Sequence, residues 1–174
     1  MAINVREFPA RYARVLQRAL DTIRERLEHP PGPVPQDLRE ELLAILSKGR
    51  PIVDLVYGGG QGMCQAPYAR SAGYRVLLCS KAFLPEPRSR IIRLPAVVFH
   101  ELIHIARGWE LDAETFENAW FSVQEGARPP DQNDWTIFKE DRYEGWWVRV
   151  NPRTRRVIDY ADRPIVTFPS FHRR

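Results

Sequence analysis

"VVFHELIHIARGWELDAETFENAWF", residues 97–121, decides how this chain is read. From Pro95 onward, Ala96, Val97, Val98, Phe99, Leu102, Ile103, Ile105 and Ala106 leave almost no polar face. A helix that is apolar all round is a buried helix. The pattern predicts one from about Pro95, whose missing N–H suits a first-turn position, to Gly108. Inside it stand His100, Glu101 and His104. Imidazoles four residues apart project from one helical face a turn apart, so two ring nitrogens can reach one metal ion while Glu101 stands beside them as a proton acceptor. An ionised carboxylate buried without a partner is costly. A divalent cation supplies the missing charge.

Two histidines leave tetrahedral zinc short of ligands, because catalytic sites use three protein ligands and keep the fourth position open. The only histidine downstream is His172, near the C-terminus. A carboxylate must therefore close the site, and the candidates are Glu110, Asp112, Glu114 and Glu117. A second helix is predicted over roughly 113–124, with Asp112 as its N-cap. On it Glu114 and Asn118 lie one turn apart and share a face, so Asn118 is placed to orient a ligand.

"HELIH" (100–104) resembles the zincin metallopeptidases, and the resemblance covers about residues 94–121. It implies that His100 and His104 are zinc ligands, that Glu101 is the general base, and that the reaction is hydrolysis of a peptide bond. It also implies a small twisted sheet just before the helix, which "GYRVLLCS" (73–80) can supply, and a peptide substrate docking along that strand. Glu110 lies six residues after His104, the offset at which metzincins carry their third ligand, but Arg107 occupies the position where those proteins turn on a glycine. Gluzincins take a glutamate from the following helix, and "ETFEN" (114–118) is similar to their pattern. The expected third ligand is thus Glu114, with Glu117 and Glu110 as alternatives. "HELIH" followed by an acidic helix is distantly similar to the compact metalloproteases among bacterial effectors and toxin domains. Tyr143 and Tyr160 are the candidate donors to a developing oxyanion.

Upstream, "FPARYARVLQRALDTIRERLEH" (8–29) carries Tyr12, Val15, Ala19, Ile23 and Leu27 at helical spacing. "PPGPVP" (30–35) stops that helix. "QDLREELLAILSKG" (36–49) is a second, ending on a glycine C-cap. "PIVDLVYGGG" (51–60) reads as a strand entering a turn. The glycines at 58, 59, 60 and 62 lack the GK[ST] of a phosphate loop and the last glycine of G-x-G-x-x-G, so they read as a turn or cleft rim. "LPEPRSR" (84–90) and "GARPPDQND" (126–134) are loops, and "GWWVRVNPRTRRVIDY" (145–160) is a hairpin turning at Asn151-Pro152.

At 174 residues the chain fits a single domain: N-terminal helices over 1–48, a catalytic core over 50–125 and a hairpin region over 140–174. Hydrophobic residues at 44% argue against disorder. No run approaches the roughly 18 apolar residues of a membrane span, and the arginine-studded start lacks a signal-peptide core, so a cytoplasmic protein is expected. Cys64 and Cys79, without CxxC spacing, are expected as free buried thiols. The net charge of +4 is concentrated in the C-terminal third. Trp146 and Trp147 among those arginines set up the rival reading, a non-catalytic module binding acidic or nucleic-acid partners, although adjacent strand residues face opposite ways and argue against a nucleic-acid surface. The reading is an α+β zincin-like zinc metallopeptidase acting on a peptide or protein.

Overall fold

The computed structural model describes residues 3–31, 34–65, 67–85, 93–121, 135–137 and 145–162. The fold is α+β, as expected, and the described residues form four α-helices and two sheets. Strand β1 (Ile3–Arg6) leads into helices α1 (Ala10–Glu28) and α2 (Gln36–Lys48). The buried face of α1 is Leu16, Ala19, Leu20, Ile23 and Leu27, close to the predicted stripe. That of α2 is Leu38, Leu42, Ile45 and Leu46. Gly49 closes α2 at φ 59°, a left-handed cap that glycine adopts without a Cβ penalty.

Strands β2 (Val53–Gly59), β3 (Ala69–Ala72) and β4 (Arg75–Cys79) complete the first sheet in the order β1-β2-β4-β3. β1, β2 and β4 run parallel, with Leu55 facing Val5 on one side and Val76 on the other. β3 folds back antiparallel through Gly73-Tyr74, pairing Ala69 with Leu78 and Ala72 with Arg75. This corrects the expected docking strand. Residues 75–79 are an interior strand, because β3 saturates their outer hydrogen-bonding edge, and among the described residues β3 is the outer strand on that side.

A second correction concerns the cysteines. Cys64, in a 3-10 turn over Gly62–Cys64, forms a disulfide with Cys79 at the end of β4, the two Cα atoms 5.2 Å apart. The parallel pairing of β2 with β4 delivers both chain ends to one place. Gly58 makes room for the bridge: a Cβ there would come within 2.5 Å of Cys64 Sγ and 2.7 Å of Leu77 Cγ.

Helix α3 (Leu94–Arg107) packs against α1, α2 and β3, and against α4 (Glu110–Phe121) most extensively. Leu94, Ala96, Val98, Phe99, Leu102 and Ile103 are buried in the same cluster as the inward faces of α1, α2 and the first sheet. Trp120 of α4 stacks on Phe99 at 5.1 Å. Two residues join the helices, and Gly108 ends α3 at φ 85°. α4 therefore starts at Glu110, three residues earlier than predicted, and Asp112 lies within its first turn rather than at its cap.

β5 (Trp135–Ile137), β6 (Trp147–Val150) and β7 (Val157–Ala161) form the second sheet, antiparallel throughout. The predicted hairpin is β6–β7, and Asn151 Oδ1 fixes its turn by accepting from the N–H groups of Arg153 and Thr154. Leu111 of α4, Trp135 and Ala161 make a small separate cluster. The predicted loops over 86–90 and 126–134 lie outside the described residues, as do Tyr143 and His172. Among the described residues no helix is long and apolar enough to cross a membrane.

Candidate metal centre

α3 presents His100 and His104 on one side, half-buried, with their ring centroids 4.8 Å apart. Their Nε2 atoms approach to 3.1 Å. The carboxylate of Glu110, carried back by the early start of α4, meets both: Oε2 is 2.8 Å from His104 Nε2 and Oε1 is 3.4 Å from His100 Nε2. His100, His104 and Glu110 can each direct one ligand atom at a common point. A tetrahedral zinc with bonds near 2.0–2.1 Å sets its ligand atoms about 3.3 Å apart. The observed separations cluster around that value, and two imidazoles with one carboxylate are a donor set zinc takes. The residues present fit the ion.

Glu117 supplies the next layer. Its Oε2 lies 2.8 Å from His100 Nδ1, and since a carboxylate can only accept, Nδ1 carries the proton. Once the ring gives up its other proton, that tautomer turns the lone pair of Nε2 toward a cation, and the contact fixes the ring's orientation. Burial by itself would lower the pKa of His100, but Glu110 and Glu117 outweigh it and push the imidazole up to about 10. Burial would raise Glu110, yet the two imidazoles hold it well below the usual carboxylate range. Both shifts say the same thing physically: the pocket's field favours one added positive charge where the three ligand atoms meet.

Glu114, the expected third ligand, is not with the histidines. Arg149 of β6 donates to its Oε1 at 2.8 Å and also holds Asp159 of β7 at 3.0 Å. Helical geometry explains the sorting. At 100° per residue, Glu117 falls about 20° from Glu110 around the helix, and Glu114 about 40° away on the other side. Glu110 and Glu117 thus face α3, while Glu114 turns toward the second sheet. Burial raises its pKa, an effect the Arg149 guanidinium opposes and the neighbouring Glu110 carboxylate reinforces. Arg149 itself would be lowered by burial but is held higher by Glu114 and Asp159. The side chain of Asn118 lies outside the described ones.

Glu101 is 8% exposed. It lines a cleft of about 250 Å³ together with His100, Glu117, Val97 and the segment Pro67–Ala69 at the start of β3. The expected base and one expected ligand therefore open onto the same space. Tyr160 is elsewhere, set between Trp109 at 5.8 Å and Trp146 at 5.6 Å on the hairpin side. Among the described residues, Tyr68 is the tyrosine that lines the cleft. Sequence reasoning missed it because its place depends on β3 folding back beside α3, and no local pattern announces a four-residue edge strand. Glu117 had a visible signal, its seven-residue spacing from Glu110.

Compared with models of known protein families, with curated proteins and with solved structures, the chain finds no match.

Proposed function

We propose that this chain is a zinc-dependent metallohydrolase that cleaves peptide bonds, with His100, His104 and Glu110 as the metal ligands and Glu101 as the general base. The observation that supports this best is the meeting of two imidazole nitrogens and one carboxylate at tetrahedral spacing, beside a cleft that Glu101 lines. A bound zinc ion supplies Lewis acidity and brings the pKa of water to about 7. The chain's own groups do the rest. Glu101 takes a proton from the attacking water and delivers it to the departing amine nitrogen. Glu117, through the Nδ1 proton, keeps His100 in the tautomer and orientation the ligand role needs. The apolar walls, Val97 and Pro67 among them, limit water around the reacting carbonyl. A peptide would add as a strand along the outer edge of β3, whose first residue, Ala69, faces the cleft.

The test has two arms. Purified protein should bind about one zinc per chain, and His100→Ala should abolish that binding. Glu101→Gln should keep the metal and lose hydrolysis of a mixed peptide pool by at least about a hundredfold. Unchanged turnover in Glu101→Gln removes the general-base assignment. Failure to bind zinc removes the hydrolase. Steeply salt-dependent affinity for DNA or RNA in a zinc-free protein would favour the binding-module alternative instead.

A further inference from the structure

The outer face of α1 carries its charges in a segregated order. Beyond the helix's first residue, its exposed positions are Arg11, Arg14, Arg18, Asp21, Glu25 and Glu28. Their spacing alternates between three and four residues, so they form one continuous ridge. That ridge lies on the side opposite the buried Leu16, Ile23 and Leu27. Arginines fill its first half and acids its second.

Within one chain this order is unfavourable. The helix dipole favours acids at the N-terminal end and bases at the C-terminal end. Here the first turn holds Arg11 and no acid, and Glu25 and Glu28 stand beside Arg26 in the last. Arg14 and Arg18 are like charges one turn apart, as are Asp21 and Glu25, and such pairs repel. Two members of the ridge are engaged locally: Arg11 donates to the Tyr12 hydroxyl at 3.2 Å, and Asp21 accepts from Gln17 at 2.9 Å and Arg24 at 3.4 Å. The side chains of Arg14, Arg18, Glu25 and Glu28 make no hydrogen bond or ion pair with any described residue.

A second copy of the chain supplies what the ridge lacks. Consider two such helices laid antiparallel about a two-fold axis midway between Arg18 and Asp21. Arg11 then meets the partner's Glu28, Arg14 the partner's Glu25 and Arg18 the partner's Asp21, each contact occurring twice. That is the self-complementarity of an isologous interface. Parallel alignment would set arginine on arginine, and a nucleic acid or other uniform polyanion would be repelled by half the ridge. We propose that the exposed face of α1 is a homodimer interface in which two copies pair antiparallel through these six residues. This inference is independent of the metallohydrolase reading. The ridge is about 25 Å long, and a single helix face buries less than a standard interface, so the dimer is weak and concentration-dependent.

Analytical ultracentrifugation of the full chain from about 10 μM to about 1 mM tests this. In low salt the wild type should pass from monomer to dimer across that range, and raising salt from about 0.02 M to about 0.5 M should weaken association at least about tenfold. The direction is diagnostic. The net charge of +4 opposes self-association, so with an apolar contact in place of the ion pairs, salt would strengthen the dimer. Arg14→Glu sets acid against the partner's Glu25 twice and should weaken association about tenfold or more. It also gives Arg18 an opposite charge one turn away, which keeps the helix. Arg14→Glu/Glu25→Arg leaves the net charge unchanged and remakes every pair, so it should recover wild-type association within about threefold. A wild-type chain that stays monomeric at about 1 mM in low salt overturns the proposal, and that measurement needs no variant. So do dimers that salt or Arg14→Glu leaves intact, or a paired exchange that recovers nothing.

Discussion

Replacing Glu110 and Glu114 separately with glutamine sets the observed geometry against the third ligand expected from sequence. Glutamine keeps the shape of the side chain and removes its charge. Four-ligand structural zinc sites bind with about 10–16 kcal/mol at pH 7, so one protein ligand of a set corresponds to roughly 3 kcal/mol, or about a hundredfold in affinity. Glu110→Gln should weaken zinc binding by that amount or more, because its carboxylate lies 2.8 and 3.4 Å from the two Nε2 atoms. Glu114→Gln, which touches Glu110 rather than the imidazoles, should weaken zinc clearly less than Glu110→Gln does and act mainly on stability. It removes a charged hydrogen bond to a part-buried Arg149, which still keeps Asp159. The expected cost is about 1–3 kcal/mol, or roughly 3–10 °C in melting temperature for a domain of this length. Competition with a chromogenic chelator measures the first quantity, and thermal unfolding monitored by circular dichroism the second. Should Glu114→Gln lose zinc while Glu110→Gln retains it, the third ligand is Glu114 and the sorting of α4's acids argued above is wrong.

Zinc affinity should rise with pH across 6–8 by up to about tenfold per unit, because His100, pushed up to about 10, must release a proton before it can ligate; a flat profile contradicts this. In zinc-free protein the same raised pKa stabilises the folded state fully below the unfolded value near 6.5 and loses that stabilisation as pH climbs through about 10, so the melting temperature of chelator-treated protein should fall over that window. Glu117→Gln should weaken zinc about 10–100-fold without abolishing it, read by the same chelator competition. Leu55→Ala, at the fully buried centre of the first sheet, should cost about 2–5 kcal/mol in denaturant unfolding while leaving zinc stoichiometry intact. Cys64→Ala/Cys79→Ala opens a 15-residue loop and should cost about 3 kcal/mol in the same assay.

The helices were legible because their apolar periodicity is long and their ends are marked. "PPGPVP" and Gly49 bound α1 and α2, and the all-round apolar run of α3 announced a buried helix holding His100, Glu101 and His104. What stayed hidden depends on contacts between distant segments. β1 and β3 are four residues each, too short for a period to register, yet they determine which strand is an edge. The disulfide likewise depends on β2 lying beside β4, and two cysteines without CxxC spacing carry no sign of that. That Glu110 rather than Glu114 lies beside the imidazoles turns on one helix boundary. Starting the second helix at 113 puts Glu114 in its first turn, whereas starting it at Glu110 turns Glu110 and Glu117 toward α3. Arg149 could not have been assigned to Glu114 from sequence, since 35 positions separate them.

The two-residue link between α3 and α4 acts as the adjusting screw of the whole centre. Gly108, in a backbone conformation that L side chains adopt only under strain, is the joint that sets the angle at which α4 returns. Inserting a single residue there would rotate every acid on α4 by about 100° relative to the imidazoles, swinging Glu110 and Glu117 away at once. Length at this joint is therefore far less negotiable than chemistry at most positions around it, and a chain that lengthened it would have to recruit its carboxylates afresh.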